Sequence, residues 1–277
     1  MSDRAFTHAI WGAALLVACT FFWLLGDLIW RGVPHLSWQF FISAPSNAGR
    51  AGGIAPILVS TLLILAVAMA AAIPLGLGAA VWLAEYAQHK VALGRAVRLS
   101  LDVLAGVPSI VFGLFGNAFF SMFLGLGFSI LSGGLTLACM ILPIFIRTSE
   151  AGLSSIGADW RQSAAALGMT RATALWHILL RAAAPSIVAG FILGMGRATA
   201  ETAALIFTSG YVDRMPGSLS DSGRSLAVHI YDLSMNVTGG DAAAYASALV
   251  LVLLIVAINS SAFALSDRWM TRRITLS

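Results

Sequence analysis

Charge is what this sequence has least of. Of its 277 residues only 10% are Asp, Glu, Lys or Arg, while 59% are hydrophobic; the mean hydropathy is +0.89. A soluble domain carries about 25% charged residues, so less than half the charge needed for a water-facing surface is present. A soluble enzyme, a nucleic-acid module and a disordered tail are thereby excluded. Lysine occurs once, as Lys90 in His89-Lys90-Val91. A phosphate-cradling P-loop needs Gly-Lys-Ser or Gly-Lys-Thr, so no ATPase motor of that kind resides here. Cysteine is scarce too: Cys19 and Cys139 lie far apart, each in an apolar run, which suits neither a disulfide framework nor a zinc site. His8, His35, His89, His177 and His229 show no metal-ligand spacing. No catalytic constellation appears, so the expectation is a chain that binds no metal or cofactor and is not an enzyme.

What is present is long apolar runs. A spanning helix needs about 20 largely apolar residues, and segments 9–30, 55–84, 126–147, 183–208 and 244–265 qualify. A sixth, 99–124, is glycine-rich and interrupted by Pro108 but apolar throughout, with Gly125-Leu126-Gly127 as the turn that follows. Leu16-Val17-Ala18-Cys19 looks like a lipoprotein processing site, but Phe21-Phe22-Trp23-Leu24-Leu25 stays apolar beyond it, so 9–30 reads as an uncleaved helix. Lipid cannot satisfy free backbone groups. The expected fold is therefore an all-α integral membrane protein with six transmembrane helices, a single domain over 1–277.

The basic residues set an orientation. Arg4, Lys90, Arg95, Arg98, Arg147, Arg161, Arg171, Arg181, Arg268, Arg272 and Arg273, eleven of sixteen, fall in the N-terminus, the 85–98 and 147–182 loops and the C-terminal tail. The opposite loops hold Arg31, Arg50, Arg214 and Arg224, and Arg197 lies inside the fifth span. By the positive-inside rule both termini are expected to be cytoplasmic. Scattered over four loops, these charges mark topology and form no stripe for DNA.

Two loops on the outer side, 31–54 and 209–243, are rich in Gly, Pro, Ser, Asp and Asn. Within the second, Leu226, Ile230, Leu233 and Val237 recur at helical spacing, which fits an interfacial helix, a pore lid or a packed surface helix. The cytoplasmic loop 147–182 has more pattern. Asp159-Trp160-Arg161-Gln162 has the form of a capping box with Asp159 as N-cap, Gly168 is a natural C-terminal stop, and Thr170 can cap the next helix. The helix between them is about eight residues long. Such a helix is unstable alone in water, so it calls for a docking partner.

These residues carry a resemblance. Arg161-Gln162-Ser163-Ala164-Ala165-Ala166-Leu167-Gly168, with Ile178 ten residues after the glycine, resembles the EAA loop of ABC-importer permeases, although the usual Glu-Ala-Ala is here Gln162-Ser163-Ala164. Gly106-Val107-Pro108-Ser109-Ile110-Val111-Phe112 resembles the Pro-Ser-Ile-Val segment of phosphate permeases. Arg197-Ala198-Thr199-Ala200-Glu201-Thr202-Ala203-Ala204 resembles the Arg…Gly-Glu-Thr-Ala signature of their PstA-type subunit, with Ala200 in place of a glycine. The outer-loop runs Val212-Asp213-Arg214-Met215-Pro216 and Val228-His229-Ile230-Tyr231-Asp232 are similar to that subunit as well. The resemblance implies a type I importer permease in a bacterial inner membrane. It implies a second, homologous permease, an ABC ATPase dimer that uses ATP and Mg, and an outer phosphate-binding protein. It makes Trp160, Arg161, Gln162, Ala164, Ala165, Leu167 and Gly168 the ATPase-coupling residues.

Arg197 and Glu201 are the only charged pair deep in a predicted span. Four residues of helix turn through about 400°, which puts both on one face. A charge at that depth costs at least about 2.5–3.5 kcal/mol, so the pair faces the bundle interior or a wet path. Two readings are open: mutual neutralisation that locks packing, or an anion pathway in which Arg197 meets phosphate and Glu201 governs release, with Thr199, Thr202 and Ser109 nearby. Pro108 reads as a membrane-helix kink, and Gly190-Phe191-Ile192-Leu193-Gly194 as a small-residue packing face. Sulfate or molybdate in place of phosphate, and a standalone ion-coupled carrier, are the alternatives in substrate and mechanism.

Overall fold

The computed structural model describes residues 3–87 and 91–271; Lys90, Arg272 and Arg273, which entered the orientation argument, lie outside them. The chain is helical along nearly its whole described length. Helix α1 (Asp3–Gly32) leads through α2 (Trp38–Ile42) and a small antiparallel pair, β1 (Pro45–Ser46) with β2 (Ala51–Gly52), to α3 (Ala55–Val81), which ends in a π-helical turn, Trp82–Tyr86. Next come α4 (Val91–Ala105), α5 (Ser109–Gly116, continued by a π-helical stretch to Phe123) and α6 (Ile130–Ser154). The remainder is α7 (Ala158–Ala166), α8 (Arg171–Ala174), a π-helical turn Leu175–Leu179, α9 (Leu180–Ala182), α10 (Ala184–Thr199), α11 (Ala203–Ile206), α12 (Leu226–Met235) and α13 (Asp241–Thr271).

Among the described residues four stretches are long and apolar enough to cross a membrane: Phe6–His35, Ala55–Tyr86, Ile130–Ser154 and Asp241–Ala264. Two more qualify as bent pairs, Val91–Ala105 with Ser109–Phe123 at 103° and Arg171–Ala182 with Ala184–Thr199 at 65°, which brings the number to six if each pair is one span. The expected third span, 99–124, is therefore not one kinked helix. The chain turns a corner at Gly106-Val107-Pro108, because proline removes a backbone donor and pushes the residue before it out of the helical region. The expected fifth span, 183–208, also stops short, its main helix ending at Thr199.

The centre of the fold is the contact of α3 with α6. Ile64, Leu65 and Ala68 of α3 share a buried cluster with Leu137, Ala138 and Ile141 of α6. Lipid chains are as apolar as leucine, so association rests on close packing, and small residues permit it. A Cβ on Gly76 would stand 2.5 Å from Phe145 Cδ1, and one on Gly134 would stand 2.5 Å from Val67 Cγ1 and 3.0 Å from the Ile64 carbonyl. Helix α10 lies on the other side of α6 with the expected small-residue face: Gly190 abuts Phe145 and Thr148, and Gly194 abuts Ile141. Helix α1 stands against α13, where Arg31 caps the ring of Tyr245 at 5.2 Å. Gly134→Leu is expected to cost about 1–3 kcal/mol by overpacking. The check is the unfolding temperature of the detergent-solubilised protein, which should fall, whereas an exposed leucine on α1 replaced by alanine should leave it unchanged.

Candidate functional site

The break after α10 carries the residues that the sequence singles out. Arg197 sits half-buried in the last turn of α10, where the negative end of the helix favours a cation. Ala200 follows as the C-cap, and the next short helix, α11, begins only at Ala203. The side chain of Glu201 accepts a hydrogen bond from the Ala204 amide at 3.1 Å, so the acid serves the first turn of α11. Arg197 and Glu201 are thus not on one face of a continuous helix, and among the described residues no ion pair joins them. No proline or glycine at 200–202 announces this break; the capping acid and the closeness of α5 stabilise it. Gly113 of α5 comes so near that a Cβ there would stand 2.8 Å from Ala204 Cα and 3.2 Å from the Ala203 carbonyl.

The other expected pathway residues fall into place unequally. Thr199 is buried and its hydroxyl donates to the Met195 carbonyl at 2.7 Å, a bond within its own helix. Thr202 stands at the N-cap of α11 with its hydroxyl capping nothing. Ser109 is the first residue of α5, one turn before Gly113, so the α4–α5 corner and the α10–α11 break meet through the α5–α11 contact.

The helix in the 147–182 loop forms where expected, with one shift. Gly157 is the N-cap of α7, and Asp159 lies in the first turn without a side-chain cap bond. It complements the helix dipole from there. At the other end Gly168 takes φ +74°, and the amides of Gly168 and Met169 reach the Ala165 and Ala164 carbonyls at 3.0 Å each, a Schellman stop. Thr170 caps α8 by accepting from the Thr173 amide at 3.2 Å. Trp160 and Leu167 are 56% and 79% exposed, and Gln162, Ala165 and Gly168 are exposed with them. Ala164 is buried and Arg161 turns inward onto Glu85 at 2.6 Å. The Glu85 carboxylate raises the guanidinium pKa above its ordinary value.

A second ionic group was invisible to motif reading. Glu150, buried in α6, accepts from Arg98 Nε at 2.6 Å and from Arg147 at 3.3 Å, and Arg147 also meets Asp102 at 3.1 Å. In sequence it follows Arg147-Thr148-Ser149 and lies in the expected 147–182 loop, where nothing marks it for burial. In the 209–243 loop the helical spacing from Leu226 to Leu233 is α12, a packed helix whose Leu226, Val228 and Leu233 are buried; it ends at Met235, before Val237. Arg224 ties it down through Asp232 at 3.1 Å and the Tyr211 carbonyl at 2.9 Å.

Bent apolar helices, a short exposed helix in the loop after α6, and a charged break inside the bundle fit a membrane permease. Residues 72–272 match the family described as binding-protein-dependent transport system inner membrane component. The chain belongs to that family, a family of transport permeases rather than enzymes. It is 32% identical over 98% of its length to a probable ABC transporter permease protein, YqgI, of Bacillus subtilis (strain 168), of which it covers 95%. It is 29% identical over 86% of its length to the phosphate transport system permease protein PstA of Haemophilus influenzae, of which it covers 84%. The resemblance to PstA-type phosphate permeases is thereby borne out. In fold it is similar to a chain of the MetNI methionine ABC transporter in an inward-facing form (TM-score 0.60, 16% identity, 77% of this chain and 96% of that one). It is also similar to a chain of a bacterial ABC transporter involved in the import of alginate (TM-score 0.60, 15% identity, 96% and 99%).

One titration follows from the cluster at α12. His229 Nδ1 lies 3.3 Å from Arg224 Nη1, which can only donate, so the ring is neutral with its proton on Nε2. Burial first, and then the charge of Arg224, lower its pKa from 6.5 to about 4. Between these values the unfolded chain binds the extra proton and the folded one resists it, so stability falls as pH drops through that window. Hydrogen-exchange protection of α12 should decline from pH 6.5 to 4, and His229→Asn should flatten the dependence.

Proposed function

We propose that this chain is one permease subunit of an ATP-driven phosphate importer in a bacterial inner membrane, with both termini cytoplasmic. It forms half of the pathway beside a second, homologous permease. An ABC ATPase dimer, using ATP and Mg, docks on the exposed face of α7, and a phosphate-binding protein delivers substrate to the outer loops. The observation that carries the reading is Arg197: a half-buried guanidinium in the last turn of α10, in no ion pair among the described residues, beside a break in the helix. The likeness to phosphate permeases at 29–33% identity supports the substrate.

A guanidinium donates two parallel hydrogen bonds to a phosphate, which suits it to meet the anion after release from the binding protein. A permanent clamp would stop transport, so something must loosen it. In this structure Glu201 is engaged with the Ala204 amide; rearrangement of residues 200–202 would free the carboxylate to compete for Arg197. Thr202 and Ser109 offer hydroxyls near the same two breaks, whereas Thr199 already serves its own helix. Import against a negative interior costs about 2.3 kcal/mol per charge at 100 mV, which the ATPase supplies.

Uptake of labelled phosphate, with labelled sulfate as control, tests this in cells lacking only this chain. Phosphate uptake alone should be lost, and the intact gene should restore it. Loss of sulfate uptake alone would keep the permease and change the anion. Arg197→Gln should assemble normally yet lower phosphate uptake about 30-fold or more, the scale of a lost charge-assisted contact. Normal uptake by that variant would remove Arg197 from the pathway.

A further inference from the structure

Helix α7 is held to the rest of the chain by very little apolar contact. Of its nine residues only Ala164 is buried. Beneath it lies a cavity of about 360 Å³, bordered by Gln162, Ala165, Met169 and Leu179 among others. One side chain bridges the gap. Arg161 donates from Nη2 to the Leu153 carbonyl in the last turn of α6 at 3.0 Å and from Nη1 to the Ile156 carbonyl, just past the end of that helix, at 2.7 Å. It donates from Nη2 and Nε to Glu85 at 2.6 and 3.1 Å.

The two carbonyl bonds have an ordinary explanation, since a cation at a helix end satisfies terminal carbonyls. The Glu85 bond does not. It places an acid on the last turn of α3, 76 residues away in sequence, with side chains only 18% and 29% exposed. Desolvating both groups is unfavourable unless the paired geometry compensates, and α7 could be anchored by α6 alone. The last turn of α3 is also a π-helical one, Trp82–Tyr86, a form common at functional positions in helices. Arg98 grips the same turn from the other side, donating to the Leu83 carbonyl at 3.1 Å and to Glu150 at 2.6 Å. The end of α3 is therefore strung between α7 and α4, with an open cavity rather than packed side chains under α7.

We infer that the Glu85–Arg161 pair is the strut through which displacement of α7 reaches the end of α3, and that Glu85 is a positioning residue for coupling, without contact to substrate or ATPase. This rests on the reading that α7 docks the ATPase. Packed helices transmit a shift only where they touch; α7 touches α3 through this pair. Its arginine belongs to the docking loop by sequence but faces away from the docked surface.

The test uses the reconstituted complex of this chain with its partner permease and ATPase in proteoliposomes, measuring phosphate imported per ATP hydrolysed. Glu85→Ala leaves Arg161 on the Leu153 and Ile156 carbonyls, so α7 should stay in place and the ATPase should co-purify undiminished. Phosphate moved per ATP should fall about tenfold, the scale of coupling changes seen along contact networks, and Glu85→Gln, which keeps one acceptor oxygen, should recover part of it. An unchanged ratio in Glu85→Ala overturns the proposal. So does loss of ATPase co-purification in that variant, because the pair then merely holds the docking helix. If Glu85→Ala does not accumulate, Glu85→Gln is judged by the same two readouts. Failure of the ATPase to co-purify with the unaltered chain would instead overturn the permease reading on which the proposal rests.

Discussion

Hydrocarbon solvates neither a free backbone amide nor a charge, and this constraint governs the fold. A helix meets it along its length, but each helix end inside the bundle reopens it. Several of these ends are closed by a charged side chain. Glu201 takes the Ala204 amide after the α10 break, Arg161 takes the Leu153 carbonyl at the end of α6 and the Ile156 carbonyl just beyond it, and Arg98 takes a carbonyl in the last turn of α3. Charged side chains that would be costly in lipid are thus placed where the backbone needs them.

Breaks made tolerable in this way give the bundle its joints. A straight helix across the membrane offers a pathway only its side chains, whereas an interrupted one exposes a charged turn and can change direction there. The α4–α5 corner and the α10–α11 break are in contact through Gly113, whose lack of a Cβ lets α5 meet the backbone of Ala203 and Ala204. Larger residues at that position would separate the two breaks, and with them the residues Ser109, Thr202 and Arg197 that the pathway is expected to use.

The spans were legible because hydropathy is additive over about 20 residues, and α7 was legible because Gly168 and Thr170 act locally through backbone geometry and capping. The corner at Pro108 had a local signal but an underestimated size, since proline alone does not tell a kink from a turn of the chain. The break at 200–202 had no such signal: it is held by the Glu201 cap and by α5, which lies far away in sequence. For the same reason the roles of Glu85 and Glu150 could not be read from motifs. Their partners Arg161 and Arg98 are 76 and 52 residues distant, and only the packing of α3, α4 and α6 brings them together. Arg161 shows the converse, where its neighbours in sequence suggested an outward role that its geometry does not support.

The packing also restricts how a push on α7 can reach Arg197. Helices α3 and α6 interlock through Gly76 and Gly134 with no room for sliding at those points, and α10 rests on α6 through Gly190. On the proposed reading, displacement at the Glu85–Arg161 end therefore moves α3 and α6 together, and α10 with them. Helix α11 rests on the same centre, its Leu205 buried with Leu137 and Ile141 of α6 and lying against Gly133, and it meets α5 through Gly113. Between α10 and α11 the chain is held by no helix, only by the short link from Ala200 to Thr202. That link carries Glu201, whose single hydrogen bond to Ala204 is easier to exchange than packed contacts. A shift there changes the distance between the carboxylate and Arg197, which is what an anion clamp driven from the far end of the bundle requires.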